Sequence, residues 1–409
     1  MHDHDAIIIG AGPAGLFCAL RCAAAGLRVL VLEKNPAAGK KLLVSGSGRC
    51  NITHAGPIDD FPAHYGERAR FVKPALFDFT NADLENFFAG RGVAMTETPG
   101  GKIFPASQDA HDVLGALLAE CARTGAILSL GAPVKYVQAA HTGFQVAAGD
   151  AAHRSSSVVI ATGGKSYPAT GSTGDGYALA RRLGHSIVEP EPALAPVIVR
   201  DYAFVECAGI SLDQAPLALM RGGRTIREAR GDVLFTHRGL SGPGVLDMSR
   251  SVLPGDTITV ALAGVSASAL DEALTGACAP MGRKSLKYCV SGMGVPERLA
   301  ISALAASGIA PDLRMAQLDK RTRALVAERM GAFPFSIERL GGWNEAMVTR
   351  GGIPVTEIHK GSMESRLVPG LFFAGEVIDV DGDTGGYNLQ FAFSSGALAA
   401  KGIVKALGR

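Results

Sequence analysis

The chain opens on a short apolar run, Ala6-Ile7-Ile8-Ile9. It is followed by Gly10-Ala11-Gly12-Pro13-Ala14-Gly15, then by an Ala- and Leu-rich stretch of helical spacing that ends near Gly26. The apolar run Val29-Leu30-Val31-Leu32 comes next, so the pattern predicts a strand, a tight turn, a helix and a second strand, a βαβ unit. A further helix is signalled by Ser107 as candidate N-cap, by Asp109 and Asp112 in the first turns and by Gly125 as a stop after Arg123. Strands are predicted over Ile127 to Leu130, over Val158-Val159-Ile160 leading into Ala161-Thr162-Gly163-Gly164, and over Leu371 to Ala374 before Gly375-Glu376. Gly171-Ser172-Thr173-Gly174-Asp175-Gly176 reads as a second glycine turn into a helix over Tyr177 to Leu183, or as a bare helix cap.

Between about Pro190 and Ala346 the pattern changes. Alternating segments over Pro216 to Met220, Thr225 to Ala229 and Val233 to Thr236, with Gly222-Gly223 as a hairpin turn, predict antiparallel sheet. From about Ser266 to Gly331 the spacing becomes helical, as in Arg298-Leu299-Ala300-Ile301 and Thr322 to Met330. The predicted organisation is an α/β domain in two parts, residues 1–190 and the later part of 336–409. It is interrupted by a β-rich insertion over 191–265 and a helical insertion over 266–335.

With 409 residues, 47% of them hydrophobic, the chain can bury more than one core. Its 40 Lys and Arg against 38 Asp and Glu give a net charge of +2 and no global signature of a nucleic-acid or membrane partner. No run of roughly 18 apolar residues occurs, and the polar start Met1-His2-Asp3-His4-Asp5 is unlike a basic secretory leader, so a cytoplasmic protein is expected. The seven cysteines lack short paired spacing and read as reduced thiols. Cys18 and Cys22 share a helical face as small buried residues, and no metal is assigned.

The glycine fingerprint sits between strand and helix, where its mechanism requires it. Gly10 makes the turn, Gly12 admits a pyrophosphate to the backbone, Gly15 permits close helix packing, and Glu33 can accept hydrogen bonds from both hydroxyls of a ribose. These features indicate a dinucleotide, NAD or FAD. The far end of the chain decides for FAD. Gly375-Glu376 follows a strand, and Gly385-Gly386-Tyr387-Asn388-Leu389-Gln390 opens an apolar helix whose N-terminus would stabilise the negative charge of a reduced isoalloxazine.

Ala161 to Gly164, Thr173 to Gly176 and Ala374 to Glu376 resemble segments of the succinate dehydrogenase and fumarate reductase flavoproteins. KKLLVSGSGRCNIT (Lys40 to Thr53), GKIFPAS (Gly101 to Ser107), LFTHRGLSGPGVL (Leu234 to Leu246) and GLFFAGEVIDVDGDTGGYNLQFAFSSG (Gly370 to Gly396) resemble the aminoacetone-oxidase family of FAD-binding enzymes. That family includes the BaiN-type NAD(P)/FAD-dependent oxidoreductases. The resemblance spans nearly the whole chain. It implies a Rossmann-like FAD domain of the glutathione-reductase type, interrupted by a β-barrel-like insertion with a helical subdomain. It also implies Gly10, Gly12, Pro13, Ala14 and Gly15 at the pyrophosphate, Glu33 and Lys34 at the ribose end and Val134 at the adenine through its backbone. Ser45, Gly46, Gly48, Arg49, Cys50 and Asn51 would run beside the flavin, and Thr162 and Gly163 along the nucleotide. Gly375 and Glu376 would meet the ribityl or phosphate region, with Gly386, Tyr387, Asn388 and Leu389 at the pyrimidine edge. Two glycines in Ser45 to Asn51 permit close approach, while Arg49 and Asn51 offer donors. Cys50 has no cysteine at short spacing and reads as packing beside the flavin rather than as a redox partner.

A flavin exchanges hydride at N5, so the protein must position a substrate and move a proton. His237, in the insertion, is a candidate acid or base, with a loop histidine that satisfies backbone groups as the alternative. Tyr387 is a second candidate, with packing as its alternative. The expected function is NAD(P)H-linked reduction of a conjugated C=C bond in a small molecule held between the FAD domain and the insertion, with NAD(P)H bound transiently. Oxidation of a small amine such as an aminoketone, reduction of uridine in RNA, and a non-catalytic flavin-binding regulatory role are the alternatives. For RNA the candidate contacts are Arg221, Arg224, Arg227 and Arg230 around the Gly222-Gly223 turn, or else these form a solvated face.

Overall fold

The computed structural model describes residues 3–409; Met1 and His2, part of the polar start, lie outside the described residues. The chain forms two compact units, one running up to Pro192 and resuming over Met347–Arg409, the other Ala193–Ala346.

In the first unit His4–Ile9 pairs in parallel with Val29–Leu32 and with Ala151–Ile160. Ile127–Ser129 extends the parallel sheet beyond one side and Leu371–Phe373 beyond the other. Val29 to Leu32 are all buried, as in a sheet covered on both faces, which is why these strands read as unbroken apolar runs. Ile9 stands opposite both Leu32 and Ile160, and Phe373 stands opposite Ile160. The strands therefore end level. Gly10–Gly15, Glu33, Ala161–Gly163 and Ala374–Glu376 leave the same edge side by side, where open α/β sheets bind ligands.

The first helix, Pro13–Ala24, has proline at its start, where a missing N–H costs nothing, and nine buried residues. The C-terminal helix, Tyr387–Ala406, packs along it. A Cβ on Gly396 would stand 2.5 Å from the Ala14 carbonyl oxygen, so only glycine lets the two backbones come this close. Phe17 fills the seam, its ring 4.9 Å from Phe87 and 5.4 Å from Phe393 in edge-to-face contact.

The second unit holds a closed six-stranded barrel in the order Val197–Val199, Gly239–Ser241, Arg224–Phe235, Ser211–Arg221, Thr257–Val260 and Phe333–Leu340. The helices Ala267–Cys278, Leu286–Gly292, Glu297–Ala306 and Lys320–Gly331 share an apolar cluster with it. The fold is thus the interrupted α/β arrangement with a barrel and a helical part that the sequence predicts.

Local details differ. The helix Ala110–Thr124 is capped by Asp109, whose carboxylate accepts from the His111 N–H at 2.8 Å, and not by Ser107. A carboxylate next to the first turn gains from the helix dipole as well as from the hydrogen bond. The alternating segments Thr225 to Ala229 and Val233 to Thr236 form one strand, Arg224–Phe235, paired with Ser211–Arg221 around Gly222-Gly223. Gly231 breaks the alternation because the Gly244 Cα would lie 2.6 Å from any Cβ there. A three-stranded sheet of Thr53–His54, Met95–Thr98 and Lys102–Pro105, with helices Ala69–Asp78 and Asn81–Ala89, carries no periodicity that foretold it. Among the described residues no helix is long and apolar enough to cross a membrane.

Phe17→Ala is expected to destabilise the protein by about 3–5 kcal/mol in urea unfolding, since a fully buried aromatic leaves a cavity. Arg123 and Arg91 hold the Glu120 carboxyl down from 4.5 to about 2. The folded value lies below the unfolded one, so this stabilisation is present above pH 4.5 and is lost as pH falls through about 2. Glu120→Gln should therefore flatten the acid limb of a stability-versus-pH curve.

Candidate active site

The fingerprint loop is built from backbone that admits no side chains at two positions. A Cβ on Gly15 would sit 2.0 Å from the Gly10 carbonyl oxygen, and one on Gly10, whose φ is +106°, would sit 2.5 Å from that of Ala161. At Gly12 a Cβ would meet nothing within 4 Å, so a ligand can approach the backbone there. Neither the first helix nor the C-terminal helix has a side-chain cap, and their leading N–H groups are the donors expected of an anion or flavin site.

Glu33 is buried at the end of the second strand. One carboxylate oxygen accepts from the Ala11 N–H at 2.9 Å, the other from the backbone and side chain of Asn35 at 2.8 Å each. Val134 starts a strand just beyond Ala132, whose N–H donates to the Glu33 carbonyl at 2.8 Å. Lys34 turns the other way, ion-paired with Asp175 and donating to Thr173 at 2.6 Å. Thr162 follows the third strand with its hydroxyl buried and without a hydrogen-bond partner among the described residues. Gly163 has φ +72°, and a Cβ on Gly176 would lie 2.1 Å from the Thr162 hydroxyl, so a side chain there would displace that hydroxyl.

Ser45 to Cys50 is a sharp turn in which Gly46, Ser47, Gly48 and Cys50 all have positive φ. Its side chains are largely occupied. Ser45 donates to the Leu42 carbonyl at 2.6 Å, Arg49 lies over the Phe104 ring at 4.9 Å, and Asn51 donates to Thr53 and Ile103 carbonyls at 2.9 and 3.0 Å. Burial pushes the Cys50 thiol up to about 12, which suppresses thiolate chemistry.

Glu376, after Gly375, accepts from Lys41 at 2.6 Å, from Ser166 at 3.0 Å and from the Thr349 N–H at 2.8 Å, so one carboxylate joins four segments. Gly386 carries φ +102°, and its Cβ would meet the Thr53 carbonyl oxygen at 2.3 Å. Asn388 exchanges hydrogen bonds with Gly382 at 2.8 and 2.9 Å and shapes the loop before the helix, with Leu389 next in the first turn.

The two catalytic candidates are differently placed. His237 is exposed in a hairpin turn of the barrel unit, closed by Thr236 N–H to Gly239 at 2.9 Å. Tyr387 is 4% exposed, and the Tyr65 hydroxyl donates to its carbonyl at 2.7 Å. Sequence reasoning missed what surrounds it. The His64 ring is stacked on Tyr387 with centroids 3.9 Å apart and planes at 15°, and the His54 ring lies 5.1 Å away. The His64 Nδ1 is 3.1 Å from an Asp383 oxygen, the Asp383 N–H donates to the His64 carbonyl at 3.0 Å, and the His64 side chain is 36% exposed. The one signal was the alternation Asp379-Val380-Asp381-Gly382-Asp383 before the flavin helix. Behind it, burial pushes the Asp379 carboxyl up although Arg68 is ion-paired to it.

The arginine hairpin does not offer four free cations. Arg221 makes a two-point pair with Asp256 at 2.8 and 2.9 Å, and Arg227 donates to the Asp247 carbonyl at 3.1 Å. Arg224 and Arg230 remain exposed.

A glycine cradle on a parallel sheet, a ribose-type acid and a returning helix with an uncapped start define a flavin-nucleotide fold of Rossmann type. The chain belongs to the family described as HI0933-like protein Rossmann domain, which matches residues 4–402, and it is an FAD-dependent oxidoreductase. It is 33% identical to a ribosomal RNA dihydrouridine synthase of Escherichia coli K12 over 99% of both chains. With a 3-dehydro-bile acid delta(4,6)-reductase of Clostridium scindens it shares 31% identity over 96% of this chain and 97% of the relative. In fold it is similar to 3-ketosteroid delta1-dehydrogenase of Sterolibacterium denitrificans, with a TM-score of 0.54 at 14% identity over 98% and 99% of the two chains.

Gly15→Ala should cost about 1–3 kcal/mol of stability through the clash with Gly10. Gly12→Ala should leave stability unchanged yet lower the flavin retained on purification, measured as visible absorbance per chain.

Proposed function

We propose that the protein reduces a carbon–carbon double bond conjugated to a carbonyl, with electrons from NAD(P)H, and that its first-ranked substrate is a uracil ring in RNA. What supports this reading is the chemistry shared by two relatives aligned over 96% or more of the chain. Dihydrouridine formation and delta(4,6) reduction both add two hydrogens across such a bond.

Bound FAD supplies the hydride, at N5. In this reading Gly10, Gly12 and Gly15 take the pyrophosphate with the first N–H groups of the helix Pro13–Ala24, and Glu33 takes the ribose. The Thr162 hydroxyl, buried without a hydrogen-bond partner among the described residues, is a donor suited to the nucleotide. Gly386, Asn388 and Leu389 bring the start of the C-terminal helix to the pyrimidine edge. The proton needed beside the hydride is assigned to His64. Its ring is anchored by Asp383, lies flat on Tyr387 and is partly exposed, and imidazole passes protons near neutral pH. Tyr387 is buried beneath it and serves as its platform.

Anaerobic stopped-flow tests the reading. NADH or NADPH is expected to bleach the flavin band, and a conjugated enone or a uridine-containing RNA to restore it without oxygen. His64→Gln should slow the acceptor-dependent return by about 100-fold and leave bleaching unchanged. Bleaching by a small amine alone, with peroxide formed on admitting air, would show an oxidase instead.

A further inference from the structure

The helical part of the second unit carries a cationic face that none of the flavin chemistry uses. Between the helices Ala267–Cys278 and Leu286–Gly292 and the turn Met315–Gln317 lies an open depression of about 460 Å³, lined by Gly282, Arg283, Arg314, Ala316 and Gln317. No acidic side chain lines it. The neighbouring Asp312 is taken by Lys287 at 2.9 Å. Arg314 is anchored by one nitrogen, which donates to the Arg283 carbonyl at 2.6 Å, so its position is fixed while further donors of the guanidinium remain for a ligand.

Next in sequence to Arg283, Lys284 stands 4.7 Å from the ring centroid of Tyr288. Tyr288 is 54% exposed on a helix whose inner side buries Leu286, Cys289 and Val290. An aromatic ring held open to solvent beside Lys284, with Arg283 next in sequence, combines the two elements that bind unpaired nucleic acid, a stacking surface for a base and cations for phosphates. An acidic protein surface would use the cations and gain nothing from the ring. The barrel hairpin is the poorer candidate, because Arg221 is ion-paired with Asp256 and the stretch from Ser211 to Leu234 has no aromatic residue on which a base could stack.

We infer that Arg283, Lys284, Arg314, Gln317 and Tyr288 form a docking surface for single-stranded RNA, with phosphates on the cations and a base stacked on Tyr288. The inference rests on the uracil substrate and adds where the RNA is held.

The test is fluorescence anisotropy of the FAD-loaded protein with a labelled oligouridylate of about 12 nucleotides, within the range of single-strand sites, over a series of salt concentrations. Arg283→Glu, Lys284→Glu and Arg314→Glu together should weaken binding at least about 10-fold. They should also flatten the plot of log affinity against log salt by about 2, roughly 0.7 for each lost phosphate contact. Tyr288→Ala should weaken binding about fivefold or more at unchanged salt slope, as loss of one stacked base does. Arg224→Glu with Arg230→Glu, on the hairpin, should leave affinity as it was. Flavin content and thermal unfolding of each variant establish that it is folded. Equal binding by the triple variant would overturn the inference. So would an inert Tyr288→Ala together with displacement of the RNA by polyglutamate, which would mark a site for an acidic protein. If the unaltered protein binds no RNA while a small enone still restores the oxidised flavin, the docking surface fails and the reduction reading stands. If RNA binds as described and no conjugated acceptor restores the flavin, the reduction reading fails alone.

Discussion

Ala14 is held between two glycines from the far end of the chain. A Cβ on Gly396 would approach its carbonyl oxygen to 2.5 Å, and one on Gly375 would come within 2.9 Å of its methyl group. Backbones can approach this closely only where side chains are absent. The consequence is positional. Ala14 belongs to the fingerprint loop, so fixing it fixes the start of the first helix against the middle of the C-terminal one and against Gly375 after the last parallel strand. The first helix, which has no side-chain cap, is thereby held in one frame with the loop Gly375-Glu376.

The polar contacts around this seam serve the same end. Glu376 collects Lys41, Ser166 and Thr349, and Glu33 collects Ala11 and Asn35, so the loops leaving the sheet edge are bonded to one another before any ligand is considered. Preorganised donors and acceptors of this kind lower the ordering cost of binding. Groups left over are correspondingly informative. The buried hydroxyl of Thr162 has no partner among the described residues, and the His64 side chain, beside Asp383, is partly open to solvent.

Two demands meet in the proposed reaction, and different regions answer them. Hydride and proton delivery concern the first unit, where Asp383, His64 and Tyr387 stand at the head of the flavin helix. Holding a long anionic substrate, as proposed, concerns local charge in a near-neutral chain, and the depression lined by Arg283 and Arg314 in the second unit is one such place. In the hairpin that looks most basic in the sequence, Arg221 is paired with Asp256.

Local order was legible in the sequence. The apolar runs at Ala6 to Ile9 and Val29 to Leu32, the glycines between them and the alternation around Gly222-Gly223 each specify their element through neighbours a few residues away, and the interrupted α/β plan follows from them. Even there, competition between adjacent groups decided details, as when Asp109 displaced Ser107 at a helix start. The site was legible only where backbone conformation demands a residue type, as at Gly15 and Gly386. Its polar wiring was not. His64 meets Asp383 across 319 residues and Lys41 meets Glu376 across 335, and whether Arg221 is a free cation or half of an ion pair depends on Asp256 in another strand connection. Periodicity records the face on which a side chain lies. The partner it finds there is set by the packing of elements distant in the chain, and only the tertiary structure decides that.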